Sequence, residues 1–424
     1  MTIFALIDCN NFFVSCERLF RPDLEKRPVV VLSSNDGCVI SRSAQAKQLG
    51  IPMGAPAFKY RHIFRTEGVV QFSANFELYG DISERITRIL TGITPRTEVY
   101  SVDESFLDLS QLEITNYSAW GQKVRQRLLR EVGIPVSMGI APTKTLAKLA
   151  SEHAKQDTGL QGVLDLTRSK DFDSYLLKTP IKEVWGIGWR LKPKLQAEGI
   201  YNALDLAQLA PRRAGQLMGV HGRQLVAELS GQPCHPLEAF GRIRQTVMKG
   251  RMFGEDTNRF EVIESAVASL TARAAFCLRR EGLMARSASL SLSTDRHKPG
   301  YRRQQHVIHF TAPTADTGHI TAELVAAAQA AFNPVTWYHR ANVLLYDLTG
   351  EDRWQPDLFG DIDPVGIADG RTRLQALDLL NARYGARTIH YAAEDLSQAW
   401  QPRQQLRSPR YTTNWGELPV ARLA

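Results

Sequence analysis

The chain has 424 residues, 43% hydrophobic and 23% charged, a globular composition that excludes a disordered or fibrous protein and leaves room for several cores. Lys and Arg number 52 against 44 for Asp and Glu, and the formal net charge of +8 suits a polyanionic partner without proving one. The five cysteines, Cys9, Cys16, Cys38, Cys234 and Cys277, form no Cys-x-x-Cys pair, which argues against a disulfide framework or a zinc site and for a reducing compartment. The N-terminus MTIFALIDCNNFF has no basic leader and is interrupted by Asp8, and no apolar run approaches membrane-spanning length. A cytoplasmic protein without a membrane role is expected.

TIFALID reads as a short buried strand ending at an acid. RPVVVLS and GCVISRS are two further strands, followed by the helix AQAKQLG, closed by Gly50. From Phe76 to Leu90 the spacing is helical, with Leu78, Ile82, Ile86 and Leu90 in one stripe. A hairpin follows at VYSVDESFLDLS, then a helix over Tyr117–Val132 and the strand PVSMGIA. Helices and strands mix without a regular βαβ repeat, which predicts an α+β fold. Lys178 to Cys234 reads as all-helical, with glycine-bracketed turns at Gly186–Gly188 and Gly219–Gly222. Beyond Gln245 the order is strand, helix (Glu261–Arg280), strand (SASLSLS), strand (QQHVIHF), helix (Ile320–Phe332), strand (ANVLLYDL). That βαββαβ order predicts a self-contained small domain. The stretch from Gly350 is polar and basic, with one amphipathic helix near Arg373–Asn381.

The hairpin is odd because Asp103 and Glu104 occupy its bend, where Asn-Gly or Asp-Gly would be ordinary turn chemistry. With Asp8, these carboxylates come from two strand ends and form a donor set for two Mg²⁺ ions, which prefer oxygen ligands. Two such ions roughly 4 Å apart activate an attacking oxygen and stabilise a leaving one in phosphoryl transfer. Ordinary surface turn acids are the alternative. In APTKTLAKLASEHAK, Thr143 is an N-cap, and Leu146, Leu149, Ala150 and His153 form a buried stripe in which His153 packs. Lys144, Lys148 and Lys155 share another face, either a triphosphate contact or simply a solvated surface.

VWGIGWRLKPKLQAEGI has the helix-hairpin-helix pattern, whose tight turn presents backbone N–H groups to a phosphate. Gly186, Ile187 and Gly188, with Arg190, Lys192 and Lys194, are the candidate DNA-backbone contacts. A structural glycine turn is the alternative, and Pro193 weakens the match. In QPDLFGD, Leu358 and Phe359 are adjacent apolar residues in a linker-like stretch behind Gln355 and Asp357. They read as a docking peptide or as a loop end folded back on its domain.

Together these motifs resemble the Y-family translesion DNA polymerases, and within them the UmuC type. DCNNFFVSCE, SVDESFLDL, GIAPTKTLAKLASEHAK, VWGIGWRL, QPDLF and SPRYTT stand in the family's order along nearly the whole chain, and SNDGCVISRSAQAKQLGIPMG favours the UmuC branch. The resemblance implies a right-hand polymerase with palm (1–20 and 75–165), fingers (21–74), helix-hairpin-helix thumb (166–238) and little finger (242–348), then a tail (349–424) with clamp-binding and partner-binding regions. It implies that Asp8, Asp103, Glu104 and the backbone carbonyl of Cys9 hold two Mg²⁺ ions, with the three acids catalytic. Phe12 and Phe13 would meet the nucleotide, with Phe13 as the steric gate against a ribose 2′-OH. Arg42, Lys47 and Lys155 would meet the triphosphate, and Gln355, Asp357, Leu358 and Phe359 the sliding clamp. Primer-template DNA, dNTPs, a UmuD-like processed dimer and a RecA filament are the implied partners, and the SOS response the implied setting. The sequence departs from the family at Asn10, where many members carry an acid. It departs at Ala44 and Lys47, where other branches use tyrosine and arginine, and at Gln156, where proline is common. The rival readings are a non-catalytic, clamp-tethered DNA-binding factor that restrains replication, and a nucleotidyl cyclase. The three retained acids speak against the first, and the thumb-like hairpin has no role in the second.

Overall fold

The alternation of FALIDC decides where the first strand's side chains go. In the computed structural model, which describes residues 2–167, 172–238, 244–353, 364–395, 397–418 and 420, β1 (Phe4–Cys9) is the central strand of a sheet buried on both faces. Ala5, Ile7 and Cys9 enter one core, while Phe4 and Leu6 enter another, as the period of two requires. Asp8 therefore shares the face of Phe4 and Leu6.

The chain continues through α1 (Phe12–Leu19), β2 (Val29–Leu32), β3 (Val39–Arg42), α2 (Ala44–Gln48), α3 (Ala57–Thr66), β4 (Val70–Ser73) and α4 (Phe76–Ile93). β2 lies between β3 and β4 in a small three-stranded sheet with its own core around Val30, Leu32, Val39 and Phe64. Next come β5 (Thr97–Val99), β6 (Glu104–Asp108), α5 (Tyr117–Val132), β7 (Val136–Ala141), α6 (Lys144–Gln156) and β8 (Val163–Asp165). The central sheet has the order β5-β6-β1-β7-β8, with β1 antiparallel to β6 and β7, and β7 parallel to β8. The expected stripe Leu78, Ile82, Ile86 and Leu90 buries against one face. Leu146, Ala147, Leu149 and Ala150 of α6 bury against the other.

The helical stretch is α7 (Phe172–Lys178), α8 (Leu191–Ala197), α9 (Ala203–Ala207), α10 (Pro211–Met218) and α11 (Val220–Leu229). The element before Gly186–Gly188 is a single 3₁₀ turn, Ile181–Glu183, rather than a full helix, because Pro180 and Gly186 leave it too few residues. Gly186 and Gly219 have φ of +88° and +73°, conformations that favour glycine.

A second compact unit comprises Ser34–Asp36 and Ile243–Gln405, while Leu406–Ala424 belongs with the first. The second unit carries the expected βαββαβ order in β9 (Thr246–Thr257), α12 (Phe260–Arg280), β10 (Leu283–Ser293), β11 (Arg303–Thr314), α13 (Thr317–Ala331) and β12 (Tyr338–Gly350). Its antiparallel sheet has the order β11-β10-β12-β9. The helix expected near Arg373–Asn381 is longer, α14 (Pro364–Tyr384). It is tied to α12 by a two-pronged Arg279–Asp378 ion pair at 2.7 and 2.8 Å. Trp400, 1% exposed, closes the same core. The segment after Gly350 thus contributes to both units.

Candidate active site

Strand register assembles the acids. Asp8 and Glu104 are directly opposed on β1 and β6, so their side chains leave the sheet on one face. Asp103 precedes β6 in the turn, and its carbonyl accepts from the Cys9 N–H at 2.9 Å. Ser101 makes this bend workable without glycine. Its hydroxyl accepts from the N–H groups of Asp103 (3.2 Å) and Glu104 (3.0 Å) and donates to the Asp103 carboxylate. The sequence reading passed over Ser101; a serine two residues before an acid at a bend is the signal for such a side-chain turn.

The face that carries the acids is the one α6 covers. Lys155 Nζ donates to both Asp8 oxygens at 2.8 and 2.9 Å, and Lys148 Nζ to both Glu104 oxygens at 2.7 Å. The lysine stripe is therefore not a solvated surface. Lys144, 3% exposed along its side chain, pairs with buried Glu98 and donates to the Pro236 carbonyl at 2.8 Å. Thr143 is the expected N-cap, accepting from the Leu146 N–H. His153 is packed, as expected, with Nε2 2.8 Å from Thr179 Oγ1.

Burial pushes the Asp8 carboxyl up to about 6, opposed by Lys155 and reinforced by the neighbouring charges of Glu104 and Asp103. Burial alone would lower Lys155, yet the Asp8 carboxylate holds it above its ordinary range. Lys47 is lowered by burial first and then by Lys155 and Arg42, so these three cations share one electropositive region beside Asp8. Arg42 donates to the Ile51 carbonyl. Asn10 accepts from Ser137 Oγ at 2.9 Å and is thereby engaged on β7.

The donor chemistry fits divalent ions: two carboxylates on one face, a third at the adjoining turn, and ammonium groups already seated on two of them. The acids are not drawn into one tight cluster, however. Among the described residues the one such group of oxygens and nitrogens within 4.8 Å is Asp256, Asp295 and His339, in the second unit.

Phe13 is half-buried on α1. It stacks on Tyr79 with centroids 4.6 Å apart and meets Phe76 edge-on at 5.8 Å. Phe12 is 3% exposed and belongs to the core. In the helical stretch, Gly186 and Gly188 are exposed while Ile187 is buried. Arg190 lies over the exposed ring of Trp189 at 4.8 Å, Lys192 is half-buried and Lys194 is exposed. A cleft of about 1220 Å³ runs between the β5 end, at Val99 and Tyr100, and the turn Trp185–Ile187. Gln355, Asp357, Leu358 and Phe359 lie outside the described residues.

Residues 7–152 match the impB/mucB/samB family and residues 244–358 its C-terminal domain. The chain is 40% identical over 421 residues to protein UmuC of Salmonella typhimurium, covering 98% of this chain and 99% of that one. The chain belongs to the Y-family DNA polymerases of the UmuC type. As a member of that family it is a DNA-directed DNA polymerase. It is also 36% identical to protein SamB of Salmonella typhimurium, covering 99% of this chain and all of that one. DNA polymerase IV of Moorella thermoacetica is 30% identical, covering 91% and 94% of the two chains. The fold matches a Y-family DNA polymerase chimera of Dbh and Dpo4 with a TM-score of 0.66 and 21% identity, over 81% of this chain and 98% of that one. Residues 374–421 match a domain of unknown function, so this polymerase carries a segment for which the family description offers no role.

Proposed function

We propose that the chain is an error-prone, template-directed polymerase that extends primers past damaged bases in the SOS response. The register pairing of Asp8 with Glu104, with Asp103 at the adjoining turn, supports this most directly. Asp8, Asp103, Glu104 and the Cys9 carbonyl would hold two Mg²⁺ ions. Such ions, when bound, lower the barrier to attack by a primer 3′-OH on an α-phosphate and neutralise the charge that leaves with pyrophosphate. The ammonium of Lys155, seated on Asp8, is within reach of the same region and is suited to a triphosphate oxygen once Asp8 is otherwise engaged. Arg42 and Lys47 add charge beside it. The ring of Phe13 excludes a ribose 2′-OH, and Phe12 supports it from the core.

In this reading residues 1–20 and 75–165 are the palm, 21–74 the fingers, 166–238 the thumb, 242–348 the little finger and 349–424 the tail. The turn Gly186–Gly188 with Arg190, Lys192 and Lys194 holds the DNA backbone, which positions a duplex without reading its sequence. Gln355, Asp357, Leu358 and Phe359 dock on a sliding clamp, and a UmuD-like dimer and a RecA filament assist. The cytoplasm is the proposed compartment; among the described residues no helix is long and apolar enough to cross a membrane.

Extension on a gapped template carrying an abasic site, by the purified chain with and without those partners, tests the reading. Product beyond the lesion is expected. Extension confined to undamaged template under every condition would refute the translesion role.

A further inference from the structure

The segment Leu406–Glu417 begins against the end of β4. Leu406 and Ser73 exchange hydrogen bonds, the Leu406 N–H donating to Ser73 Oγ at 3.0 Å and the Ser73 N–H to the Leu406 carbonyl at 3.0 Å. Asn75, which caps α4, donates its side-chain amide to the Ser408 carbonyl (3.1 Å), Ser408 Oγ (3.0 Å) and the Pro409 carbonyl (3.2 Å). Farther on, Tyr411 stacks on Phe20, the C-cap of α1, at 4.3 Å. Arg410 and Glu417 close the segment with a two-nitrogen ion pair.

One carboxylate links this strap to the nucleotide side of α1. Glu17 is 1% exposed. Its Oε1 accepts from Ser408 Oγ at 3.1 Å and from the Tyr79 hydroxyl at 2.6 Å, and among the described residues its Oε2 has no partner. A buried carboxylate is tolerated only while its donors are in place, so the two hydroxyls are held as firmly as the acid is. The Tyr79 ring is the one stacked 4.6 Å from Phe13. The path Ser408, Glu17, Tyr79, Phe13 thus runs from the domain of unknown function to the candidate sugar gate.

We propose that Leu406–Glu417 is a positioning strap, in which Ser408, acting through Glu17 and Tyr79, fixes the ring of Phe13 and thereby sets discrimination between deoxy- and ribonucleotides. This rests on the gate role proposed for Phe13. Ser408 touches no reacting atom; it is a positioning residue, and so is Tyr79.

The test uses full-length protein and measures kcat/KM for a dNTP and its matching rNTP, with thermal melting of every variant. Phe13→Ala should collapse the preference for the deoxynucleotide. Ser408→Ala should reduce it about fivefold, the equivalent of about 1 kcal/mol. Tyr79→Phe, which keeps the ring and removes the hydroxyl, should do the same. The double variant should lose no more than the larger single loss, because both act through one carboxylate, and Ser408→Thr should restore the preference. Three outcomes overturn the proposal. If Phe13→Ala collapses the preference while Ser408→Ala and Tyr79→Phe leave it intact, the strap is only structural, whatever the melting temperatures. Additive losses in the double variant would mean the two residues act separately. A Phe13→Ala enzyme with unaltered preference removes the gate itself and the strap's role with it.

Discussion

Asp8 serves two requirements at once, a backbone paired on both edges inside β1 and a carboxylate aimed at α6. Its carboxyl is raised from 3.8 to about 6, chiefly by burial. Between those values the folded chain holds a proton that the unfolded chain has released, so the ion-free fold loses stability as pH rises through this window. Above about 6 a divalent ion should offset the clustered charge. Mg²⁺ is therefore expected to raise the melting temperature at pH 7.5 and to do so far less at pH 5, where the proton competes. Scanning fluorimetry at both values checks this, and an equal rise at both would contradict it. The buried Lys144–Glu98 pair calls for a different expectation. Glu98→Ala leaves an ammonium 3% exposed without its carboxylate counter-charge, and about 3–5 kcal/mol of stability should be lost, measured by urea unfolding. A loss below about 1 kcal/mol would show that Lys144 relaxes to water. The placing of Asp8, Asp103 and Glu104 together was legible because acids at strand ends are conspicuous against apolar runs, whereas the spacing of Lys155 fitted a solvated helix face equally well. Glu98 and Glu17 were not, since a lone acid in a mixed stretch looks like a surface residue until its distant partners, Lys144 and Tyr79, are in place.

At the scale of elements, the close approach of α6 to β7 fixes where the lysines point. A Cβ on Gly139 would lie 2.0 Å from the Ala147 carbonyl oxygen and 2.2 Å from the Ser151 nitrogen, both backbone atoms of α6. Gly139→Ala must push the helix off the sheet, at a cost of about 1–3 kcal/mol or more, and with it move Lys148 and Lys155 away from Glu104 and Asp8. Stability and nucleotide addition should fall together, read by unfolding and primer extension. Wild-type behaviour in both would mean that the contact is softer than its geometry. The helices α4, α5 and α6 were legible in their apolar spacing, and the βαββαβ order in its alternation. The 3₁₀ turn Ile181–Glu183 was not, because Val184 and Ile187 bury at a spacing that a helix would also give.

Across the whole molecule, two compact units share one chain, and the region after Gly350 contributes Trp400 to one core and Ser408 to the network of the other unit. The splitting of the tail between the two units was invisible in the sequence, where SPRYTT stood only as a family motif. Its role depends on Glu17 and Tyr79, 391 and 329 positions earlier by residue number. The family, the fold and the position of the acids were all legible; the contacts that run from Ser408 through Glu17 and Tyr79 to the Phe13 ring were not. In the function proposed for this chain, Asp8, Asp103 and Glu104 hold the ions for nucleotidyl transfer. The direct measurement is primer extension in Mg²⁺ by the wild-type chain and Asp103→Ala, with primer-template affinity measured in parallel. Asp103→Ala should lower the rate by about 100-fold or more while affinity stays near that of the wild type. Extension at the wild-type rate by Asp103→Ala would contradict the claim.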